Sequence, residues 1–230
     1  MYNTGYERTK VTARCSPLSH RSPTMHTAVT EDPSPLPIAF TISPICSPPT
    51  AAEVQSYKDL RLTALKTDPS RFASTYERES AFSEEAWRGR IAGPNRVVLV
   101  ARASHPEGPL AGSVTSIAAR ELPEFPLPPT AERDTAYFVF AMWVHPSYRR
   151  KGVARMLIEA LLKWIEENAE VEGLGSGHVE VWLEVKVANG AARRLYEAMG
   201  FKEVRETESE VEEIWLRRRI GPLDRREVEK

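Results

Sequence analysis

Nine consecutive apolar or aromatic residues, Ala136–Val144 (AYFVFAMWV), read as a strand buried on both faces. His145-Pro146-Ser147 breaks that run, because proline lacks a ladder donor and fixes its own φ. Beyond the break, Val153, Met156, Leu157, Ala160, Leu161, Trp164 and Ile165 recur at the spacing of one helical face over 153–168. Glu159 precedes Lys163 by four residues on the polar side of that helix. Upstream, residues 38–43 alternate as a first strand, and Pro48-Pro49-Thr50 supplies a break and a helix cap, with Glu53 placed for a capping box. The next helix carries Val54, Tyr57, Leu60, Arg61 and Leu65 and ends near Asp68-Pro69. Ser83 caps a second helix with Glu84 and Glu85 in its first turn and Trp87 on its buried side.

Strands are predicted over 97–103 and 110–119, joined by a turn at 105–108. Residues 121–134 contain four prolines and read as a surface loop. After the long helix, 170–177 reads as a glycine-bearing loop. Over 178–185, Val179, Val181, Leu183 and Val185 fall on one side of a strand, and Glu180, Trp182 and Glu184 on the other. A short helix over 190–199 stops at Gly200, and 201–205 with 211–216 close as a hairpin around 207–209.

Composition changes this picture at the ends of the chain. Residues 1–37 set Pro17, Pro23, Pro33, Pro35 and Pro37 among Ser and Thr, with almost nothing aliphatic to bury, and read as a disordered extension. Their early excess of Arg and Lys leaves a mitochondrial transit peptide as the alternative. One domain is expected over 38–219, with a charged tail at 220–230. Lys and Arg total 31 against 32 for Asp and Glu, so no overall field favours nucleic acid or an anionic membrane. No apolar run approaches the ~20 residues of a bilayer span, which points to a soluble chain. Only Cys15 and Cys46 are present, both ahead of the central elements, so a reducing cytoplasmic setting is expected, with neither a disulfide framework nor a metal cluster.

Candidate chemistry lies between the apolar strand and the long helix, in Arg149-Arg150-Lys151-Gly152-Val153-Ala154. A basic turn opening a helix offers unpaired backbone N–H groups aligned with the helix dipole, and Gly152 admits an anion close to the backbone. Arg149-x-x-Gly152-x-Ala154 resembles the (Gln/Arg)-x-x-Gly-x-(Gly/Ala) signature of the GNAT superfamily of N-acetyltransferases. A second stretch strengthens it: Leu183-Glu184-Val185, then Asn189, then Leu195-Tyr196-Glu197-Ala198-Met199-Gly200-Phe201, similar in spacing to the family's ribosomal-protein alanine N-acetyltransferases.

The resemblance implies an α/β fold, with a mixed, mostly antiparallel sheet of six or seven strands and about four helices. It implies acetyl-CoA as co-substrate, without a metal, its pyrophosphate held by Arg149, Arg150, Lys151, Gly152, Val153 and Ala154. The strands over 138–144 and 178–185 would diverge and receive the pantetheine arm on backbone groups of Met142, Trp143 and Val144, with an amide near Met142 facing the thioester oxygen. Asn189 would bond the pantetheine amide, its other role being a plain helix cap. Tyr196 would protonate the leaving thiolate, and Glu184 would act as general base through water. Tyr76, Glu77 and Glu79 are the alternatives for the base, and Arg71 to Glu77 resembles a segment bordering the acceptor site. The function implied is acetyl transfer to a small amine or a protein amino terminus by direct attack. The competing class is a non-catalytic acyl-CoA-binding or interaction module. Acidic residues at Glu121, Glu124, Glu132, Asp134, Glu206, Glu208, Glu210, Glu212 and Glu213 suit a cationic acceptor. Homodimerisation is left open by these features.

Overall fold

The structure, a computed structural model, describes residues 38–104, 108–128, 130–174, 178–204 and 212–221. The chain divides into two units, Met1–Ile38 and Ala39–Lys230. Of the first only Ile38 is described; the sheet and its helices belong to the second. The extension at 1–37, the hairpin turn at 207–209 and the tail beyond Gly221 lie outside the described residues.

Seven strands form one sheet: β1 (Phe40–Pro44), β2 (Arg96–Ala103), β3 (Leu110–Ala118), β4 (Ala136–Val144), β5 (Val179–Lys186), β6 (Lys202–Val204) and β7 (Glu213–Ile220). Their spatial order is β1-β2-β3-β4-β5-β7-β6, so β7 inserts between β5 and β6. Only the β4–β5 pair is parallel; every other neighbouring pair is antiparallel.

Among the described residues there are five α-helices: α1 (Ala51–Thr67), α2 (Tyr76–Ser80), α3 (Glu84–Ile91), α4 (Val153–Val171) and α5 (Gly190–Ala198). Thr50 and Glu53 form the predicted capping box at α1, and Ser83 caps α3 through the Ala86 amide. The helix in excess of the four predicted is α2. Five residues are too few to show a period, and this helix depends on a Thr75 cap and on Glu79, which is wholly buried against Arg61 of α1.

The sheet is covered on both faces. On one, α4 buries Leu157, Ile158, Leu161 and Ile165 against alternate residues of β2 to β5, including Leu99, Val181 and Leu183. On the other, α1 and α3 cover Val98 and Val100 through Tyr57, Trp87 and Ile91. Further along that second face the proline-bearing loop is held down by Arg133, which donates to the carbonyls of Ala119, Leu122 and Phe125. Leu122, Phe125 and Leu127 thereby roof Phe138, Trp182 and Trp215.

Several boundaries differ from expectation, each for a local reason. Helix α4 runs to Val171, since 170–171 still close helical bonds ahead of Gly173. Its surface pairs are Arg155–Glu159 and Lys163–Glu167, both at 3.7 Å, in place of Glu159–Lys163. Strand β7 extends past Leu216 to Ile220, which is buried. Glu180 and Trp182 are fully interior beneath the loop: Glu180 accepts from the Trp182 indole, Arg217 and Arg219. Cys46 belongs to the connection between β1 and α1, inside the folded unit, and its amide donates to Glu53. No helix among the described residues is long and apolar enough to cross a membrane.

Candidate functional site

The β4–β5 seam is short. Ala136, Tyr137 and Phe138 pair with Glu180, Val181 and Trp182, and beyond those three pairs the strands part. A bulge in β4 accompanies the parting: Phe140 opposes Thr115 and Trp143 opposes Ser113, so Ala141 and Met142 together face Val114 alone. Ala141 adopts a left-handed φ of 52° there. Gly112 lets the two strands close again, since a Cβ at that position would lie 2.6 Å from the Trp143 carbonyl oxygen. The Ala136–Val144 run is therefore not buried on both faces throughout, because Phe140, Ala141 and Met142 are only half-buried.

Into the gap opens a cleft of about 600 Å³. Residues 139–144 of β4 form one wall, and 183–186 of β5 with Glu213 of β7 form the other. Asn189, Leu195 and Tyr196 line it from α5. One end is closed by the turn entering α4, and Asp68, Arg71, Phe72 and Ala73 border it from the segment after α1. Sheet geometry fixes what the β4 wall offers. His145 donates to the Ala111 carbonyl and Trp143 opposes Ser113, so Val144, between these bonded positions, turns its N–H and C=O away from β3.

At the α4 end the backbone is shaped by left-handed residues. Arg150 has φ 64° and Gly152 φ 82°, and a Cβ on Gly152 would meet nothing within 4 Å. No side chain caps α4, so its first N–H groups remain available beside exposed Arg150 and Lys151, followed by Val153 and Ala154. Arg149 departs from the expected arrangement. Its side chain is 42% exposed, yet its Nε donates to the Val144 carbonyl at 2.9 Å and its terminal nitrogen to Asp68, so this guanidinium is already engaged. The Trp143 indole is likewise directed away from the cleft: it packs on Leu60 and Ala64 and donates to the same Asp68 oxygen at 2.7 Å.

Tyr196 is buried, with its ring edge-on to Phe201 at 5.7 Å. Burial pushes its phenol far above the ordinary value, so the hydroxyl stays protonated throughout the neutral range, though as a weaker acid than a free phenol. Asn189 caps α5 by accepting from the Ala192 amide, a bond that leaves its own side-chain nitrogen unused. Glu184 lies across the cleft on β5. Partial burial, and after it the Glu213 carboxylate, push the Glu184 carboxyl above the usual range.

Of the alternatives for a base, Tyr76, Glu77 and Glu79 do not line the cleft. Glu79 is the counter-ion of Arg61 and Arg90, and Tyr76 carries Lys66 over its ring at 4.2 Å. Arg71, Phe72 and Ala73 border the cleft, whereas 74–77 do not. Two cleft residues are not evident from the sequence. Asp68 looks like a helix terminator, and its partner Arg149 is 81 positions away. Glu213 is only one of many acidic residues; its place opposite Lys186 follows from β7 pairing with β5.

Comparison with known proteins agrees with this geometry. The acetyltransferase (GNAT) family profile matches residues 62–201. A [ribosomal protein bS18]-alanine N-acetyltransferase of Salmonella typhimurium is 40% identical over 65 residues, 28% of this chain and 38% of that protein. An N-alpha-acetyltransferase of Saccharolobus solfataricus is 39% identical over 67 residues, 29% of this chain and 36% of the relative. The matched stretches thus span little more than a third of these relatives. Arabidopsis thaliana NAA60 in complex with acetyl-CoA shares the fold, with a TM-score of 0.51 at 20% identity, covering 79% of this chain and 99% of that one. A profile match over more than half the chain, on a sheet that parts between β4 and β5 above an uncapped helix, places the protein in the acetyltransferase (GNAT) family.

Proposed function

We propose that the protein is an acetyl-CoA-dependent N-acetyltransferase acting on a peptide amino terminus or a small amine. The observation that carries this reading is the continuity of the cleft: it runs from the open N-terminus of α4, between the parted strands, to Glu184 and Tyr196. The residues present fit an extended thioester ending in a diphosphate. Arg150, Lys151 and the backbone at Gly152, Val153 and Ala154 would receive the diphosphate, and Val144, Met142 and Asn189 the pantetheine amides. Arg149 contributes by fixing the turn. Acetyl-CoA supplies the activated acyl group, and no metal is part of the proposal.

The chain's own groups then act on the acceptor. Glu184, through a water, takes a proton from the acceptor ammonium, and its raised pKa narrows the mismatch with an amine near 10.4. The freed amine nitrogen attacks the acetyl carbonyl carbon while a β4 amide near the bulge steadies the oxyanion. The carbon–sulfur bond breaks as Tyr196 gives the thiolate its proton, and the second proton of the attacking nitrogen passes through water to the Tyr196 oxygen, leaving a neutral amide and a restored phenol. Cys46 is not a cleft residue, and direct attack by the amine is the course proposed. Glu184, Glu213 and the acidic loop residues favour a cationic acceptor, in keeping with relatives named for amino-terminal acetylation. A reducing cytoplasmic setting accords with only two cysteines.

The test is release of CoA thiol from acetyl-CoA across a panel of amino-terminal peptides and small amines. Amine-dependent release, with the acetyl group found on nitrogen, is the expected result. Tight acetyl-CoA binding by calorimetry without turnover of any amine would instead identify a binding module.

A further inference from the structure

Asp68 closes α1, immediately before the Pro69–Arg71 turn that brings Arg71, Phe72 and Ala73 to the cleft. Its Oδ2 accepts from two donors on other elements of the site, the Trp143 indole at 2.7 Å and the Arg149 guanidinium. Arg149 also reaches the Val144 carbonyl. Trp143 and Val144 are the last two residues of β4, where the strand has left β5. One carboxylate oxygen therefore anchors the acceptor-side segment, the end of the parted strand and the first residue of the basic turn. Burial alone would raise the Asp68 carboxyl; hydrogen bonds from Trp143 and Arg149, with the charges of Arg149 and Arg71, outweigh it and keep the group anionic.

An exposed ion pair contributes little on its own. This one differs because the Trp143 side chain is interior, only 6% exposed, so the shared acceptor is fixed from the buried side. The guanidinium has two donors committed in a fork that a single point charge cannot reproduce.

We propose that Asp68 is a positioning residue that holds the acceptor-side segment in register with the donor-side turn, with Arg149 as its strut rather than a ligand of the diphosphate. The proposal builds on the N-acetyltransferase reading for its kinetic readout and is independent of it for its binding readout.

The experiment compares Asp68→Asn, Arg149→Ala, Arg149→Lys and the Asp68→Asn/Arg149→Ala pair in the full chain, with melting curves to confirm folding. Binding is measured for acetyl-CoA and for S-acetyl-pantetheine, which has the same arm and no diphosphate. Each single variant should weaken both ligands by the same factor, on the order of tenfold, and the double variant should be no worse than the weaker single. Arg149→Lys should behave like Arg149→Ala, because a lysine cannot bridge Asp68 and the Val144 carbonyl together. In Asp68→Asn the acceptor KM should rise by a similar factor. A loss confined to acetyl-CoA in Arg149→Ala, rescue by Arg149→Lys, or wild-type behaviour of Asp68→Asn would each overturn the proposal. Absence of turnover in the wild type would reject the enzyme reading while leaving the binding comparison decisive.

Discussion

Glu184 on β5 and Glu213 on β7 present their carboxyl groups to the same cleft, one diagonal step apart: Glu184 stands opposite Trp215, and Glu213 opposite Lys186. Like charges at diagonal cross-strand positions oppose each other's ionisation. Partial burial first and Glu213 second raise the Glu184 carboxyl.

If Glu184 is the base, the rate rises with pH as this carboxyl ionises. Glu184→Gln should lower the rate at neutral pH and recover it at high pH, where the free amine needs no base. Glu213→Gln removes the neighbouring charge, so the acid limb should move to lower pH. Uniform loss at every pH in Glu184→Gln would make it a substrate-positioning group. The stability sign is opposite to that of activity. A carboxyl raised on folding stabilises below its unfolded pKa, and that contribution is lost as pH rises through the folded value. Glu184→Gln should therefore melt at or above the wild-type temperature at pH 7.

Tyr196→Phe keeps the buried ring against Phe201 and removes only the hydroxyl. Thiolates leave readily, so the fall in kcat should sit near the lower end of the ~10²–10⁴-fold range for acid–base groups. Rapid-quench kinetics with the chemical step limiting would show it; an unchanged rate would give Tyr196 a packing role alone.

Gly152→Asp adds a side chain at φ 82° and a negative charge at the helix N-terminus that should face a diphosphate. Acetyl-CoA affinity should fall sharply by calorimetry, while acceptor affinity changes little. Unchanged affinity in a folded variant would place the diphosphate elsewhere.

Arg61 donates two bonds to the wholly buried Glu79 and stacks on Phe72 at 4.4 Å. Burial alone would raise the Glu79 carboxyl; the bonds and charge of Arg61, aided by Arg90, prevail and hold it below the usual range. Its contribution is present above the unfolded pKa and is lost as pH falls through the lower folded value. Arg61→Ala leaves Arg90, at 3.4 Å, as that carboxylate's cationic contact, so denaturant titration at pH 7 should show a loss of up to about 3–5 kcal/mol. The deficit should shrink toward acid pH as Glu79 protonates.

Local signals made the centre of the site legible. The apolar run of β4, the glycine in the turn and the period of α4 lie within some thirty-five consecutive residues, and each element follows from its own neighbours. The same is true of the Thr50–Glu53 box. What stayed hidden depends on distant partners. Nothing near Asp68 announces Arg149, and nothing near Glu180 announces Arg217, Arg219 or the roof formed by Leu122, Phe125 and Leu127. The loop over 121–134 is proline-rich and charged, which reads as surface, yet its apolar residues cover a sheet face. Helix α2 is held by tertiary contacts rather than by any period of its own.

The three-pair seam between β4 and β5 has a consequence for how the protein survives in solution. Two antiparallel half-sheets are joined there by very few bonds, and beyond them main-chain groups face open space where a neighbouring strand would ordinarily lie. The proposed extended thioester, lying along that edge, would serve as a guest strand and complete a ladder that the chain leaves unfinished. Mass action would then tie the stability of the fold to the supply of that ligand: at a free concentration one hundred times Kd, the native state would gain about 2.7 kcal/mol over the unfolded chain.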